Sequence, residues 1–342
     1  MLSIRPLAIF TVICSLMPVA IAHVPLGVGE NDSLKNAAII DDPLKSWAIY
    51  DDIHKGGEAK YYRLEMKNGQ RLHASVFLSE SEGFLPDMAV MGPGLVNEGT
   101  LPEFVEIPEG YGFVVEKGVL GGREYEPFTP AAYYQICELD MTLNRSGTYY
   151  IAVFEPDHFG DFGLAIGYVE SFTIEEWLLV PVSVINIHLW EGQSPLIIFA
   201  PLFAGVVGVF VAILWARRRG RQIPSTVSFW LGASAASVCI GTASMTGVQM
   251  VTALSITSGP SAAGGFVTVL FLAIQLLICG LMLWLAFKDM RGPGARVRMA
   301  VLGLAGLTFW AGLLLGPVIA MVAASLPENV LRHEVGAAKK AE

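Results

Sequence analysis

The chain has 342 residues, of which 53% are hydrophobic and 15% are charged, and its mean hydropathy is +0.53. Soluble domains carry about 25% charged residues, so this composition argues against an ordinary soluble protein. Residues 23–193 hold 27 acidic and 10 basic side chains, whereas residues 194–342 hold 4 acidic and 11 basic ones. This asymmetry predicts two parts in two environments. It also excludes nucleic acid as a partner of the acidic part, which would repel phosphates.

Residues 1–22 have the parts of a cleavable signal peptide. Arg5 precedes an apolar run, and Ala20 and Ala22 form an A-x-A pattern. Cleavage after Ala22 would make His23 the first residue of the mature chain and place the following part outside the cytoplasm. An uncleaved first membrane helix is the alternative.

A mature N-terminal histidine offers two nitrogens to one metal ion, its free amine and its ring Nδ1. With a second histidine, this set suits copper(II). The candidate partners of His23 are His54, His73 and His158, but no H-x-H or H-x-x-x-H pattern supports the site. Residues 23–58 read as a mobile lead-in because glycines and a proline follow His23. We therefore expect no functional copper site, with copper binding by His23, His73 and His158 as the alternative.

Residues 59–170 carry the pattern of a β-rich domain. In the stretch RLHASVFL, Leu72, Ala74, Val76 and Leu78 alternate with side chains of the other face, where His73 is expected to point outward. Similar stretches follow at GTYYIAVFE and FGLAIGYVE, and KNGQ and PDHFGD supply turns. Short strands with regular turns predict an antiparallel β-sandwich.

Three stretches of this part, AKYYRLEMKNGQRLHASVFL, LPDMAVMGPG and RSGTYYIAVFEPDHFGDFGLAIGY, together resemble the bacterial pre-peptidase C-terminal (PPC) domain. The resemblance covers residues 59–168, and the segment 95–129 is longer and more acidic than the family's pattern. It implies a small β-sandwich appended to secreted and cell-surface proteins. Such domains bind carbohydrate, protein or calcium and share no catalytic residues.

The turn EPDHFGDFG places three carboxylates close together, those of Glu155, Asp157 and Asp161. Calcium prefers such oxygen ligands, although the spacing is not that of an EF-hand and turns favour Asp for their own geometry. Calcium binding and simple turn formation therefore both stay open. The sequence lacks G-x-S-x-G, H-E-x-x-H and P-loop motifs, and we expect no enzymatic activity.

Residues 171–193 predict an amphipathic helix lying on the outer membrane surface. Thr173 and Glu176 fit a capping box, and Pro181 is expected to bend the helix. Trp177 and Trp190 favour the membrane interface, where His188 is expected to sit at headgroup level. A fifth membrane crossing is the alternative.

Four later segments are long and apolar enough to cross a bilayer: 195–216, 227–254, 266–287 and 299–325. Basic residues follow the first and precede the fourth, whereas the link between the second and third carries no charge. The positive-inside rule places both basic loops in the cytoplasm. The N-terminal part and the tail 327–342 are then extracytoplasmic.

These patterns predict an all-β sandwich followed by an α-helical bundle of four transmembrane helices, in a multi-pass protein of the cell membrane. The expected function is non-enzymatic, namely recognition of a protein partner or assembly with other copies in the membrane. Copper handling through His23 is one alternative. A transporter or its accessory subunit is another, drawing on the polar second span with Thr242, Thr246 and Gln249. The four spans contain no Asp, Glu, Lys, Arg or His, which disfavours a proton-coupled carrier.

Overall fold

The computed structural model of the chain describes residues 23–258, 262–288, 292–327 and 330. The predicted signal peptide lies outside the described residues, as does nearly all of the tail. Within them, eleven strands in two sheets come first and six α-helices follow. The predicted order, a β-rich N-terminal part followed by apolar helices, is confirmed.

Two sheets form the β-rich part. The six-stranded sheet has the order β1-β3-β11-β5-β9-β8, and the five-stranded sheet has the order β2-β4-β10-β6-β7. All neighbouring strands pair antiparallel except β1 with β3 and β2 with β4. The strands are β1 (Val24–Leu26), β2 (Ala38–Ile40), β3 (Trp47–Ile53), β4 (Glu58–Met66), β5 (Arg71–Leu78), β6 (Asp87–Gly92), β7 (Gly112–Glu116), β8 (Arg123–Glu126), β9 (Ala131–Thr142), β10 (Gly147–Glu155) and β11 (Gly160–Ile166).

The inner faces of the two sheets share one hydrophobic core. On β5, the predicted inward residues Leu72, Ala74, Val76 and Leu78 are all buried. They belong to one cluster with side chains of the other sheet, among them Ile151. The period-2 pattern therefore identified the core face of this strand correctly.

The expected mobile lead-in was wrong. Residues 24–26 form β1, which pairs with β3 from Val24↔Trp47 to Leu26↔Ile49. Val24 is buried, and β1 forms backbone hydrogen bonds along the edge of β3. Both sheets therefore begin before residue 59, and His23 is held at the edge of one of them.

Helix α1 (Ile174–Trp190) begins at the predicted capping box, since the Thr173 side chain accepts from the Glu176 backbone amide and Glu176 reaches back to Thr173. Pro181 lies inside the helix. Three helices are long and apolar enough to cross a membrane, namely α2 (Pro195–Arg218), α3 (Val227–Ile256) and α4 (Ala262–Phe287). They coincide with the first three predicted spans.

The fourth predicted span is not one helix. Helix α5 (Pro293–Thr308) ends at a non-helical tip, residues 309–314, and α6 (Leu315–Ser325) folds back along it. The Arg296 Nε donates to the Ala324 carbonyl at 2.9 Å, and Gly306 packs on Pro317. The pair is thus an antiparallel hairpin that begins and ends at the same end of the bundle. Gly312 at positive φ and Pro317 interrupt the apolar run.

The β-rich part is packed directly against the helices. Helix α1 and the hairpin tip lie over the outer face of the six-stranded sheet, and β8 runs beside the ends of α3 and α4. The Arg123 carbonyl accepts from the Ser258 amide at 3.0 Å. His73, expected to point outward, lies with Ser75 on this covered face, and the His73 side chain is only 20% exposed.

Candidate functional site between the sheet and the helices

Two small cavities lie where the six-stranded sheet meets the helices. The upper cavity, about 90 Å³, lies between the sheet, α1 and the hairpin tip. The lower cavity, about 60 Å³, lies among α1, α3, α4 and the tip. Phe128 and Trp310 line both cavities and separate them. Mostly apolar walls with a few polar groups are typical of ligand sites, but these cavities are several times smaller than the sites of drug-sized ligands.

The hairpin tip has a strained backbone. Trp310 and Leu313 adopt φ values of 54° and 53°, and Gly312 between them has a φ of 86°. Left-handed conformations cost non-glycine residues about 1–2 kcal/mol each. Such strain persists where the surrounding packing over-determines the conformation, and it clusters at functional sites.

The surrounding elements satisfy the carbonyl groups that the broken helix leaves free. The Thr308 carbonyl accepts from Trp177 Nε1 at 3.0 Å, and the Phe309 carbonyl accepts from Gln275 Nε2 at 3.0 Å. The Ala311 carbonyl accepts from Cys239 Sγ at 3.3 Å. Non-helical backbone among membrane helices is tolerated where protein groups satisfy it in this way.

Trp177 and Trp310 join α1 to the tip. Trp310 Nε1 donates to the Trp177 carbonyl at 2.9 Å, and the two ring centroids are 4.5 Å apart. Trp310 also stacks on Phe271 of α4, with centroids 5.4 Å apart. Trp177, expected at the membrane interface, thus makes an internal contact.

The segment EPFTP, residues 126–130, inserts from the β-rich part toward the helices. The Phe128 ring lies 5.9 Å from Phe271 and 6.3 Å from Trp310, centroid to centroid. Thr268 of α4 donates to the Pro127 carbonyl at 2.9 Å. Two prolines fix the backbone on either side of Phe128, so the segment forms a rigid plug between the cavities.

Glu126 brings an acidic group into the upper cavity. It is half-buried, and its Oε1 accepts from the Phe128 amide at 3.1 Å. Burial raises the pKa of this carboxyl to about 7, the Phe128 amide opposes the rise, and nearby Glu170 adds to it. Among the described residues, Glu126 forms no ion pair. A carboxyl that titrates near neutrality beside a cavity marks a candidate functional group.

Each cavity also has a buried polar atom without a hydrogen-bond partner among the described residues. Thr129, 8% exposed, lines the upper cavity with such an Oγ1. Gln275, 4% exposed, lines the lower cavity with such an Oε1. Leaving a buried polar group unpaired costs about 1–3 kcal/mol, so these atoms indicate places for a guest molecule.

A buried polar network closes the far side of the sheet–helix contact. Glu191 accepts from Tyr133 OH at 2.5 Å and lies 2.8 Å from His188 Nδ1. Gln193 and Gln249 exchange amide hydrogen bonds at 3.2 and 2.7 Å. His188, expected to anchor α1 at headgroup level, is only 1% exposed and is held inside the protein by this network.

The structure brings together two of the four histidines considered for copper, His23 and His73. The His23 Nδ1 lies 2.7 Å from Ser46 Oγ. Burial, helped by the charge of nearby His73, lowers the pKa of His23 to about 4. His158 is absent from this neighbourhood, since it precedes β11 at Gly160 whereas His23 adjoins the row of Ile166. Six residues of strand separate these rows by about 20 Å.

The carboxylates considered for calcium are divided between turn and strand. Glu155 accepts from the amides of Asp157, at 2.7 Å, and His158, so it caps its own turn. Asp161 lies on β11 opposite Asp52. Across the described part of the chain, no cluster of three or more His, Cys, Asp or Glu has the geometry to hold a metal ion.

The sequence reading missed Glu126, Thr129, Gln275 and Trp310. Two signals for them were present: the prolines of EPFTP and the Gly-x-x-x-Gly-Pro run that interrupts the last apolar segment. The chain matches no known protein-family model and none of the curated proteins compared with it.

Proposed function

We propose that the chain is a non-enzymatic integral membrane protein of the cell surface, whose β-rich part is a PPC-like β-sandwich that acts as a binding head. The main support is that this head packs directly on the helices. The Trp177–Trp310 contact and the Gln193–Gln249 hydrogen bonds stabilise the arrangement. A partner held by the head is thereby held by the membrane part as well. This arrangement suits a subunit of a membrane complex better than a flexibly displayed module.

The proposed topology has three crossings, α2 to α4, and a re-entrant hairpin, α5 and α6. The basic residues after α2, Arg217 to Arg221, favour the cytoplasmic side, and Lys288, Arg296 and Arg298 belong to the same end of the bundle. Because the hairpin returns to Arg296, the tail then lies in the cytoplasm with these residues. This differs from the extracytoplasmic tail that four full crossings imply.

Cysteine labelling tests this topology. In a cysteine-free background, Val119→Cys on the head should react with an impermeant maleimide in intact cells. Arg221→Cys and a cysteine added after Glu342 should react only after permeabilisation, because the lipid bilayer shields the cytoplasm. Labelling of the C-terminal cysteine in intact cells would establish a fourth full crossing instead.

The head's acidic loop, residues 95–111, is the surface we assign to a protein partner. It covers the outer face of the five-stranded sheet, where Phe104 meets Phe154 at 6.3 Å and the Glu106 amide donates to Tyr61 OH at 2.7 Å. It therefore faces away from the helices. Four glutamates and no basic residue lie in it, and Val96 is 82% exposed. A basic partner surface with an apolar centre complements this loop.

Photo-crosslinking in cells tests this function. A photoreactive residue at Val96 should form an adduct with a partner protein or a second copy, whereas one at Phe159, 70% exposed on a different turn, should not. The triple change Glu98→Gln, Glu103→Gln and Glu109→Gln should reduce the Val96 adduct about tenfold by removing charge attraction. Equal adducts at both positions, or an adduct indifferent to these charges, would contradict the assignment.

Transport is a second candidate function. It is favoured by the broken hairpin, since discontinuous helices form the binding sites of many transporters. The lower cavity beside it is lined by Thr242, Thr246 and Gln275. The four predicted spans contain no Asp, Glu, Lys, Arg or His, which disfavours transport coupled to protons.

A further inference from the structure

We propose that the upper cavity binds a small alkylammonium group, with the Glu126 carboxylate as its counter-ion and the Thr129 hydroxyl as an additional acceptor. This inference is independent of the partner assigned to the acidic loop. It concerns a site shared by the sheet, α1 and the hairpin tip.

Charge selects a cation. Glu126 is the only carboxylate among the described residues that line the cavity, and no Lys or Arg lines it. His23, which also lines it, is neutral at physiological pH because burial lowers its pKa to about 4. The surrounding part of the chain, residues 23–193, has 27 acidic against 10 basic residues, which raises the local concentration of cations and repels anions.

The walls favour an organic cation over a metal ion. Aromatic side chains line the cavity from three sides: Tyr50, Phe77 and Tyr133 of the sheet, Phe128 of the plug, Phe172 before α1 and Trp310 of the tip. Aromatic faces attract alkylammonium groups and bury their methyl groups at the same time. A metal ion would need several oxygen ligands, and only one carboxylate is present.

The orphan hydroxyl supplies the second contact. An ammonium N–H between Glu126 and Thr129 would satisfy the unpaired Thr129 Oγ1 and neutralise the carboxylate, removing two unfavourable features of the empty site. The cavity volume limits the size of the alkylammonium ligand. A cavity of about 150 Å³ accepts benzene, so the 90 Å³ cavity suits a ligand of about three to five non-hydrogen atoms.

Calorimetry with the full-length protein tests the site. Protein in nanodiscs of phosphatidylglycerol, which carries no amine, is titrated at pH 8 with isopropylammonium chloride. Isopropanol serves as an uncharged molecule of the same shape. We expect saturable binding of isopropylammonium and at least tenfold weaker binding of isopropanol. Equal binding of both molecules, or no binding of the cation up to 10 mM, about tenfold above a Kd of 1 mM, would overturn the proposal.

Three variants locate the cation. Glu126→Gln keeps the acceptor for the Phe128 amide but should weaken binding on the order of 100-fold, and Thr129→Val should weaken it about fivefold. Glu124→Gln, the same change at an exposed neighbour on β8, should leave it unchanged. Unchanged binding by Glu126→Gln in a folded protein would refute the assignment.

A pH series and a second lipid give further readouts. With a carboxyl pKa of about 7, only about a tenth of Glu126 is ionised at pH 6, so affinity should fall about tenfold from pH 8. Pre-loading by a lipid headgroup is distinguished by nanodiscs containing phosphatidylethanolamine. Weaker binding of the free cation there assigns the site to the headgroup amine, and equal binding assigns it to a soluble amine.

Discussion

Replacing Trp310 with alanine is expected to lower the free energy of unfolding by about 3–5 kcal/mol, the range for removing a large buried aromatic side chain. Trp310 is 9% exposed, contacts Trp177, Phe128 and Phe271, and separates the two cavities. Its removal joins the cavities and leaves the Trp177 carbonyl without its donor. Thermal unfolding of the full-length protein in detergent measures the loss.

Three companion variants identify the origin of the effect. Trp284→Ala removes a tryptophan that is 46% exposed on α4 and should cost less than about 1 kcal/mol. Trp310→Phe keeps most of the packing and should cost about 1–2 kcal/mol. Trp310→Gly should be no less stable than Trp310→Ala, because glycine relieves the strain of the 54° φ by about 1 kcal/mol. If Trp310→Ala lowers stability no more than Trp284→Ala does, the hairpin tip does not stabilise the contact between the β-rich head and the helices.

Local patterns predicted the elements whose environment is set by their own residues. The β5 face with Leu72 and Val76, the Thr173 capping box, and three long apolar helices all depend on spacing within one segment. These features were found because periodicity and capping are local properties of the chain.

The errors arise where a distant segment changes the environment. His188 and Trp177 have the composition of a membrane-surface helix, yet the sheet covers α1 and buries His188. Val24 gains its partner only because β3 offers an edge at Trp47, 23 residues later. Hydropathy likewise cannot distinguish a straight span from a hairpin of the same composition, since both bury apolar side chains. The site residues Glu126 and Trp310 come to line the same cavity only through this tertiary packing.

Between pH 4.5 and 6.5, two half-buried groups, Glu126 and His23, are expected to affect stability in opposite directions. Burial raises the pKa of Glu126 from 4.5 to about 7, so the folded state holds its proton more tightly and stability falls as pH rises through this window. Burial lowers the pKa of His23 from 6.5 to about 4. The unfolded state therefore binds the His23 proton more tightly, and stability rises with pH. Each slope is about 1.4 kcal/mol per pH unit, so the two nearly cancel in the wild type.

Single variants should separate the two slopes. Glu126→Gln leaves only the His23 contribution, so its stability should rise by about 2 kcal/mol from pH 4.5 to 6.5 relative to the wild type. His23→Gln leaves only Glu126, and its stability should fall by a similar amount. The double variant should follow the wild type, because all other titrating groups are common to the four proteins.

Thermal unfolding of the four full-length proteins across this range measures the slopes. Parallel stability curves for all four proteins would show that folding shifts neither the pKa of Glu126 nor the pKa of His23. Opposite slopes for the single variants would show that folding disfavours the ionised form of Glu126, a cost that binding of a cation beside its carboxylate would offset.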